Sequence, residues 1–401
     1  MVSTIQPFKT PITVARPALP PLEEFRQGLE EIWDRAWLTN DGPLVQKFRG
    51  LLMQFCGVDH ASLFTNGTLS LQLAMQGMGI TGDVITTPYT FVATTHALFS
   101  DRLRPVFVDI EPTYYSLDPD LIEAAITPWT SAILAVHLYG QPCRLKELQR
   151  IARKHGLKLL YDAAHAFGVE VDGQSIAHFG DLSMFSFHAT KVFHSIEGGM
   201  LTFREPELQR RLDYLKNFGF ENETEVVMPG TNAKMSEFQA LMGILLLTHM
   251  EEMIEKRRKL TLLYRHRLAE IPGICLPALP APGVRYNYAY MPIEVDEEAF
   301  GMSRDDLFQK LREYNVIVRR YFYPIIPDFP CYRHIFRDTD LSVARRVALR
   351  ILVLPLYSEL QMDVVERICD MVEYFHNRAC SDAAAAVLDS GVSAPQLELV
   401  V

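Results

Sequence analysis

The chain has 401 residues, 48% hydrophobic and 22% charged, the balance of a globular protein with room for a large core and two lobes. A net charge of −10 gives no footprint for a polyanion, so nucleic acid is not an expected partner, although a local basic patch could still hold a phosphorylated ligand. No apolar run approaches the ~18 residues that span a bilayer, and "MVSTIQPFKTPITVARPALPPLEEF" lacks the basic-then-apolar pattern of a signal; the expectation is a cytoplasmic protein with no membrane partner.

After a Pro-rich lead-in (1–20), "PLEEFRQGLEEIWDRAW" places Leu22, Phe25, Leu29, Ile32, Trp33 and Ala36 on one face of an amphipathic helix, and a second helix is expected after "LTNDGP". From residue 61 short apolar runs alternate with helical segments: "ASLFT", "DVITTP", "RPVFVDI", "AILAVH", "LKLLYDAA", "LSMFSF" and "GMLTF". The segment "LKELQRIARKHG" reads as a helix with Leu145, Leu148 and Ile151 inward and Gly156 as its stop. Continuous rather than alternating hydrophobic strands mean burial on both faces, hence a mostly parallel sheet between helices: an α/β fold over 21–250. A long helix from "SEFQALMG" carries the chain out of it. Residues 251–380 read as a small α+β domain with strands "YAYMPIEV" and "VIVRRYFY", a helix opened by Ser303 with Asp306, and a last helix from about Met362 to His376. The tail 381–401 is read as poorly ordered. Cys56, Cys143, Cys275, Cys331, Cys369 and Cys380 show no CxxC or zinc-finger spacing, so reduced thiols and no metal are expected.

Three strand ends carry chemistry. In "FTNGTLSLQLAMQGM" a strand runs through Asn-Gly-Thr into a nearly all-apolar helix, which aims free backbone N–H groups and the positive helix end at whatever lies above; this is either a phosphate cradle or an ordinary turn with Thr as cap. There is no GxGxxG, which argues against a dinucleotide site. Asp162 ends the buried run "LKLLYD", where open α/β sheets place ligands; it either caps the next turn or faces a cation, because an isolated buried carboxylate would take up a proton. Lys191, in "FSFHATKVFHSIEGGM", follows another such run. A lysine past a strand end is ordinarily solvated, but a phosphate cradle, a buried acid and a lysine on one α/β domain, in that order, are the set that pyridoxal 5′-phosphate demands: an amine for its aldehyde, a carboxylate for its ring nitrogen and donors for its phosphate.

These stretches, with "DVITTPYTFVATTHA", "HLYGQPC", "YDAAHAFG" and "TNAKMSEFQA", resemble the DegT/DnrJ/StrS-type nucleotide-sugar aminotransferases over roughly residues 20 to 380. The resemblance implies a fold-type-I aminotransferase, a large domain plus a small C-terminal one, active as a homodimer with its sites at the subunit interface. It implies Lys191 as the Schiff-base lysine and Asp162 as the partner of the pyridine nitrogen. Thr68, the backbone of Leu69 and Ser186 fall on the cofactor phosphate. Phe91 falls on the pyridine face, and His165, where glutamine is often found, falls near the cofactor's O3′. Asn232 and Lys234 fall on a loop that reaches the neighbouring subunit's phosphate, while Tyr323 and His188 fall on the sugar side. A histidine usually found soon after "YYP" is delayed here to His334, and Tyr323 stands either as a sugar contact or as packing. Relatives that remove a sugar hydroxyl carry histidine at the lysine position, so Lys191 argues against a dehydratase. The branch most resembled takes L-glutamate as amino donor and dTDP-4-keto-6-deoxyglucose as acceptor; a C3-keto sugar or a GDP-linked, perosamine-type substrate is the alternative. A non-catalytic sensor on this fold should have lost Lys191 or Asp162, and a cysteine desulfurase needs a thiol in a polar, Gly-rich loop, which no cysteine here has.

Overall fold

The computed structural model describes residues 5–336 and 340–389. All seven apolar runs form one sheet: β1 (Ala61–Phe64), β2 (Asp83–Thr86), β3 (Arg104–Phe107), β4 (Thr130–Val136), β5 (Lys158–Asp162), β6 (Leu182–Ser186) and β7 (Gly199–Phe203). Their order is β1-β7-β6-β5-β4-β2-β3, and β7 runs antiparallel to both of its neighbours while the other pairings are parallel. Two hydrophobic clusters cover the sheet's two faces, one around Phe48, Ile133 and Phe185 and the other around Phe64, Leu134 and Leu160. Burial on both faces explains why the strands read as unbroken apolar runs.

The helices that frame the site are α1 (Leu22–Arg35), α2 (Pro43–Cys56), α3 (Gly67–Met78), α4 (Val92–Ser100), α5 (Leu145–His155) and α6 (Glu237–Leu247). In α5, Leu145, Leu148 and Ile151 are buried and Gly156 closes the helix at φ 65°. The expected stripe of α1 differs: Ile32 is buried, but Leu22 and Trp33 are 81% and 72% exposed. The single long helix expected after "SEF" is two, since α6 gives way at Thr248–His249 to α7 (Met250–Leu268). The nearly all-apolar α6 lies in the core, whereas α7 buries one stripe that begins with Met250 and Met253 on the sheet and ends with Tyr264 and Leu268 in a second core.

That second core packs α8 (Arg304–Glu313) and α9 (Met362–Asp389) against a three-stranded antiparallel sheet of Ile274–Cys275, Met291–Val295 and Ile351–Leu354. Ser303 Oγ accepts from Asp306 N–H at 3.1 Å, the expected cap. The lead-in packs here as well: Ile12–Thr13 pairs in parallel with Val316–Ile317, and Phe8 is buried. Of "VIVRRYFY", Val316–Ile317 is strand, Arg319 adds a single antiparallel bridge to Val353, and Arg320–Tyr323 are irregular. The reading of 381–401 as poorly ordered is corrected over its first part, because α9 continues to Asp389 through "AAAA", four residues of the highest helix propensity. Residues 390–401 lie outside the described residues.

Candidate active site

The carboxyl ends of β1, β5 and β6 meet beside the amino-terminal end of α3. A cavity of about 750 Å³ opens there, lined by Thr68, Phe91, Asp162, His165, Ser186 and Lys191 among others. The sheet explains this convergence, since β5 and β6 are parallel neighbours with Asp162 opposite Met184, and β7 brings Gly199 level with both Phe64 and Ser186.

Asp162 is buried. Its Oδ2 accepts from Thr94 Oγ1 at 2.8 Å, its Oδ1 accepts from Ala164 N–H at 3.1 Å, and Thr90 Oγ1 lies 3.0 Å from Thr94 Oγ1. Burial pushes this carboxyl above its ordinary range, opposed by Thr94, the Ala164 amide and the charge of Lys191. The cation expected to face Asp162 is thus felt through space rather than in hydrogen-bond contact. The Lys191 amine is pushed below the usual lysine range by burial, against the pull of Asp162 and Tyr321.

Lys191 lies in an irregular loop between β6 and β7. The loop closes through Lys191 N–H to His188 O (2.9 Å), Ser195 N–H to Phe187 O (2.9 Å) and Phe187 N–H to Gly198 O (2.8 Å). Phe187 and Phe193, on either side of the lysine, stack at 5.0 Å edge to face and pack on Phe48 and Phe167. Each such pair stabilises by ~0.5–1.5 kcal/mol beyond the area it buries, which fixes the loop's two shoulders and leaves the amine over the cavity.

At the start of α3 the cap is Asn66, not Thr68: its side chain accepts from Leu69 N–H at 2.9 Å. The Leu69 amide is therefore engaged, which leaves the amides of Gly67 and Thr68 as the first-turn donors without a helical partner. Gly67 has a packing reason as well, because a Cβ there would sit 2.9 Å from Ser186 Cβ and 3.2 Å from its Oγ. Gln239 clamps the arrangement from α6, donating to Thr65 O (3.0 Å) and Glu197 O (2.7 Å), and so ties the α3 turn to the Lys191 loop.

The remaining expected residues divide. Phe91 and His188 line the cavity; His188 Nδ1 lies 2.8 Å from Thr190 Oγ1. Tyr323 does not line it. It belongs to an adjoining cavity of about 260 Å³ with Arg319, Arg320 and Phe308, where the Arg304 and Arg320 guanidinium groups lie 4.7 and 5.4 Å from its ring centre. Asn232 and Lys234 are also outside the main cavity. Lys234 Nζ donates to Asn217 Oδ1 (2.8 Å) and lies over the Phe218 ring, whereas Asn232 is exposed. The far wall, which sequence reasoning missed apart from His165, comes from Tyr290, Tyr321 and Phe322. Among the described residues, no group of three or more His, Cys, Asp and Glu side chains could hold a metal ion. All six cysteines are free thiols, and no helix among the described residues is long and apolar enough to cross a membrane.

A mostly parallel sheet between helices, with an amine, a buried acid and a helix amino terminus converging at its strand ends, defines an enzyme of the aminotransferase class. The chain belongs to the DegT/DnrJ/EryC1/StrS aminotransferase family, whose model matches residues 22–373. It is 47% identical over 365 residues to a dTDP-4-amino-4,6-dideoxy-D-glucose transaminase of Shigella dysenteriae, covering 91% of this chain and 99% of that one. An Escherichia coli transaminase of the same name is 44% identical over 369 residues, with 90% and 98% covered. Among solved structures, DesI in the presence of its TDP-sugar product superposes with a TM-score of 0.90 at 38% identity, over 95% of this chain and 97% of that one.

Proposed function

We propose that the cavity binds pyridoxal 5′-phosphate and that the enzyme moves the amino group of L-glutamate onto a keto sugar nucleotide. The acceptor is dTDP-4-keto-6-deoxy-D-glucose and the product dTDP-4-amino-4,6-dideoxy-D-glucose. The observation that carries this reading is the buried Asp162, hydrogen-bonded by Thr94 and an amide, and coupled to Lys191 through space. Such a carboxylate stays ionised when a ring N–H⁺ completes its partners.

Bound there, the cofactor supplies an aldehyde for an amine and a ring that takes up electrons from a substrate carbon. Lys191 would hold the aldehyde carbon, and Asp162 the ring nitrogen. Thr68, the first-turn amides of α3 and Ser186 would hold the phosphate; Phe91 would cover the ring and His165 would face its phenolic oxygen. Burial lowers the pKa of Lys191 and so raises the fraction of free amine at neutral pH, which would suit the lysine to serve as a base when it is not bonded to the aldehyde carbon. Lys191 would then move a proton at the glutamate α-carbon and, in the second half-reaction, at the sugar carbon that receives the amino group.

The adjoining cavity, with Arg319 and Arg320 beside Tyr323, offers cations and rings suited to the diphosphate and base of the nucleotide. We also propose a homodimer that works in the cytoplasm. The exposed Leu22 and Trp33 of α1 give an apolar face for a second copy, and the exposed Asn232 is better placed to reach the neighbour's phosphate than Lys234, whose Nζ donates to Asn217. The test is to add L-glutamate to the cofactor-loaded enzyme, follow the shift to the pyridoxamine form, and then supply a panel of keto sugar nucleotides with products read by mass and NMR. Amination of a GDP-linked or C3-keto sugar in place of the dTDP-4-keto sugar would overturn the substrate. No spectral response to glutamate would overturn the transamination.

A further inference from the structure

We infer that His165 is locked as the neutral tautomer with its proton on Nε2, and that Asn287 is the positioning residue that holds it, so that the cavity wall presents one fixed N–H donor. The tautomer stands on the protein alone; what the donor meets rests on the cofactor reading above.

His165 Nδ1 lies 3.1 Å from the backbone N of Tyr139, which donates to it. An amide nitrogen cannot accept, so Nδ1 must offer a lone pair, and a neutral imidazole then carries its proton on Nε2. Burial and the nearby Lys191 both hold the ring neutral. His165 lines the cavity, and among the described residues no hydrogen bond uses its Nε2. His137 gives the contrast. Its Nδ1 is fixed in the same way by Cys143 N–H at 3.1 Å, but its Nε2 is buried without a partner in the core. The same lock is a dead end at His137 and a donor facing a cavity at His165.

Two loops must stay in register for this. Tyr139 sits at φ 55°, a left-handed conformation that a tyrosine holds only when its surroundings insist. Asn287, 1% exposed, holds the His165 loop: its Nδ2 donates to His165 O (2.8 Å) and Phe167 O (3.0 Å). Two carbonyls around one atom fix which end of the amide is nitrogen. Tyr286 OH donates to Tyr139 O at 2.8 Å, so adjacent residues of one segment grip both loops. The junction is tight, since a Cβ on Gly140 would lie 2.5 Å from Asn287 Oδ1 and 2.9 Å from His165 O.

The test is long-range ¹H–¹⁵N correlation on ¹⁵N-histidine-labelled protein without added cofactor, with His165 identified by the signal lost in His165→Gln. The expected result is an Nε2–H pattern that does not titrate between about pH 6 and 8. In Asn287→Leu that pattern should give way to averaged tautomers, and the pH midpoint of the bound cofactor's visible band should move by about one unit. Asn287→Ser, which keeps one donor, should fall between, and serves alone if the leucine variant does not fold. A native Nδ1–H or averaged pattern would overturn the proposal, as would an Asn287 variant that keeps both signature and midpoint. A native Nε2–H pattern in a protein that forms no cofactor band would instead sink the cofactor reading and leave the tautomer standing.

Discussion

The two walls of the cavity are built in different ways. One is a row of strand ends, where Asp162, Ser186 and the α3 turn are placed by ladder register and by the α3 cap. The other, from Tyr290, Tyr321 and Phe322 with Tyr139 behind them, is irregular chain held by hydroxyls. Tyr89 OH lies 2.9 Å from Tyr139 OH, both hydroxyls donate to Tyr321 O, and Tyr115 OH donates to Glu294 on the strand Met291–Val295. A wall set by register tolerates little change but is fixed by few residues. A wall set by a hydroxyl network spreads the same task over many, so single losses should be milder.

The strand-end wall should break hardest. Lys191→Ala is expected to lower kcat by at least ~10³-fold, by loss of the group that moves the proton, measured in single-turnover assays with glutamate. Asp162→Asn should cost ~3–4 kcal/mol of transition-state stabilisation, about 10²–10³-fold in kcat. The same variant sharpens the comparison through pH. The Asp162 carboxyl titrates above its ordinary range in the folded chain without cofactor, so its stabilising contribution is full at acid pH and lost as pH rises through the native value. Asp162→Asn should therefore raise the melting temperature of the cofactor-free protein most at about pH 8, with the gain shrinking toward about pH 4.

Gly67→Ala comes next. The added Cβ meets Ser186 at 2.9 Å, so cofactor affinity should fall about tenfold, by ~1.4 kcal/mol, with a smaller loss in kcat at saturating cofactor. The smallest effect is expected of the other wall. Tyr89→Phe should cost ~1 kcal/mol of stability and change KM for the sugar nucleotide more than the glutamate half-reaction, as read by denaturant melts and steady-state kinetics.

The same contrast decides what the sequence disclosed. Asp162, Ser186 and Lys191 end or follow apolar runs, and their chain order points to one cofactor. Thr94 gives no such signal, being a threonine in an apolar helix whose partner lies 68 positions on. The cap of α3 was misread because Asn66 and Thr68 both suit the role, and the backbone decides for Asn66 by its extended φ of −162°. Asn287 and Tyr290 could not have been found by motif: they act through carbonyls and ring edges of residues more than a hundred positions away. The break between α6 and α7 was hidden because the apolar pattern continues across Thr248 and His249.

The central claim is that one amine, half-buried among aromatic side chains, captures the cofactor. Borohydride reduction of the enzyme after incubation with pyridoxal 5′-phosphate, followed by peptide mass mapping, tests it most directly. The account predicts a single stable adduct on the peptide that contains Lys191, abolished in Lys191→Ala. A stoichiometric adduct on another lysine, or none in a protein that still aminates the sugar, would contradict it.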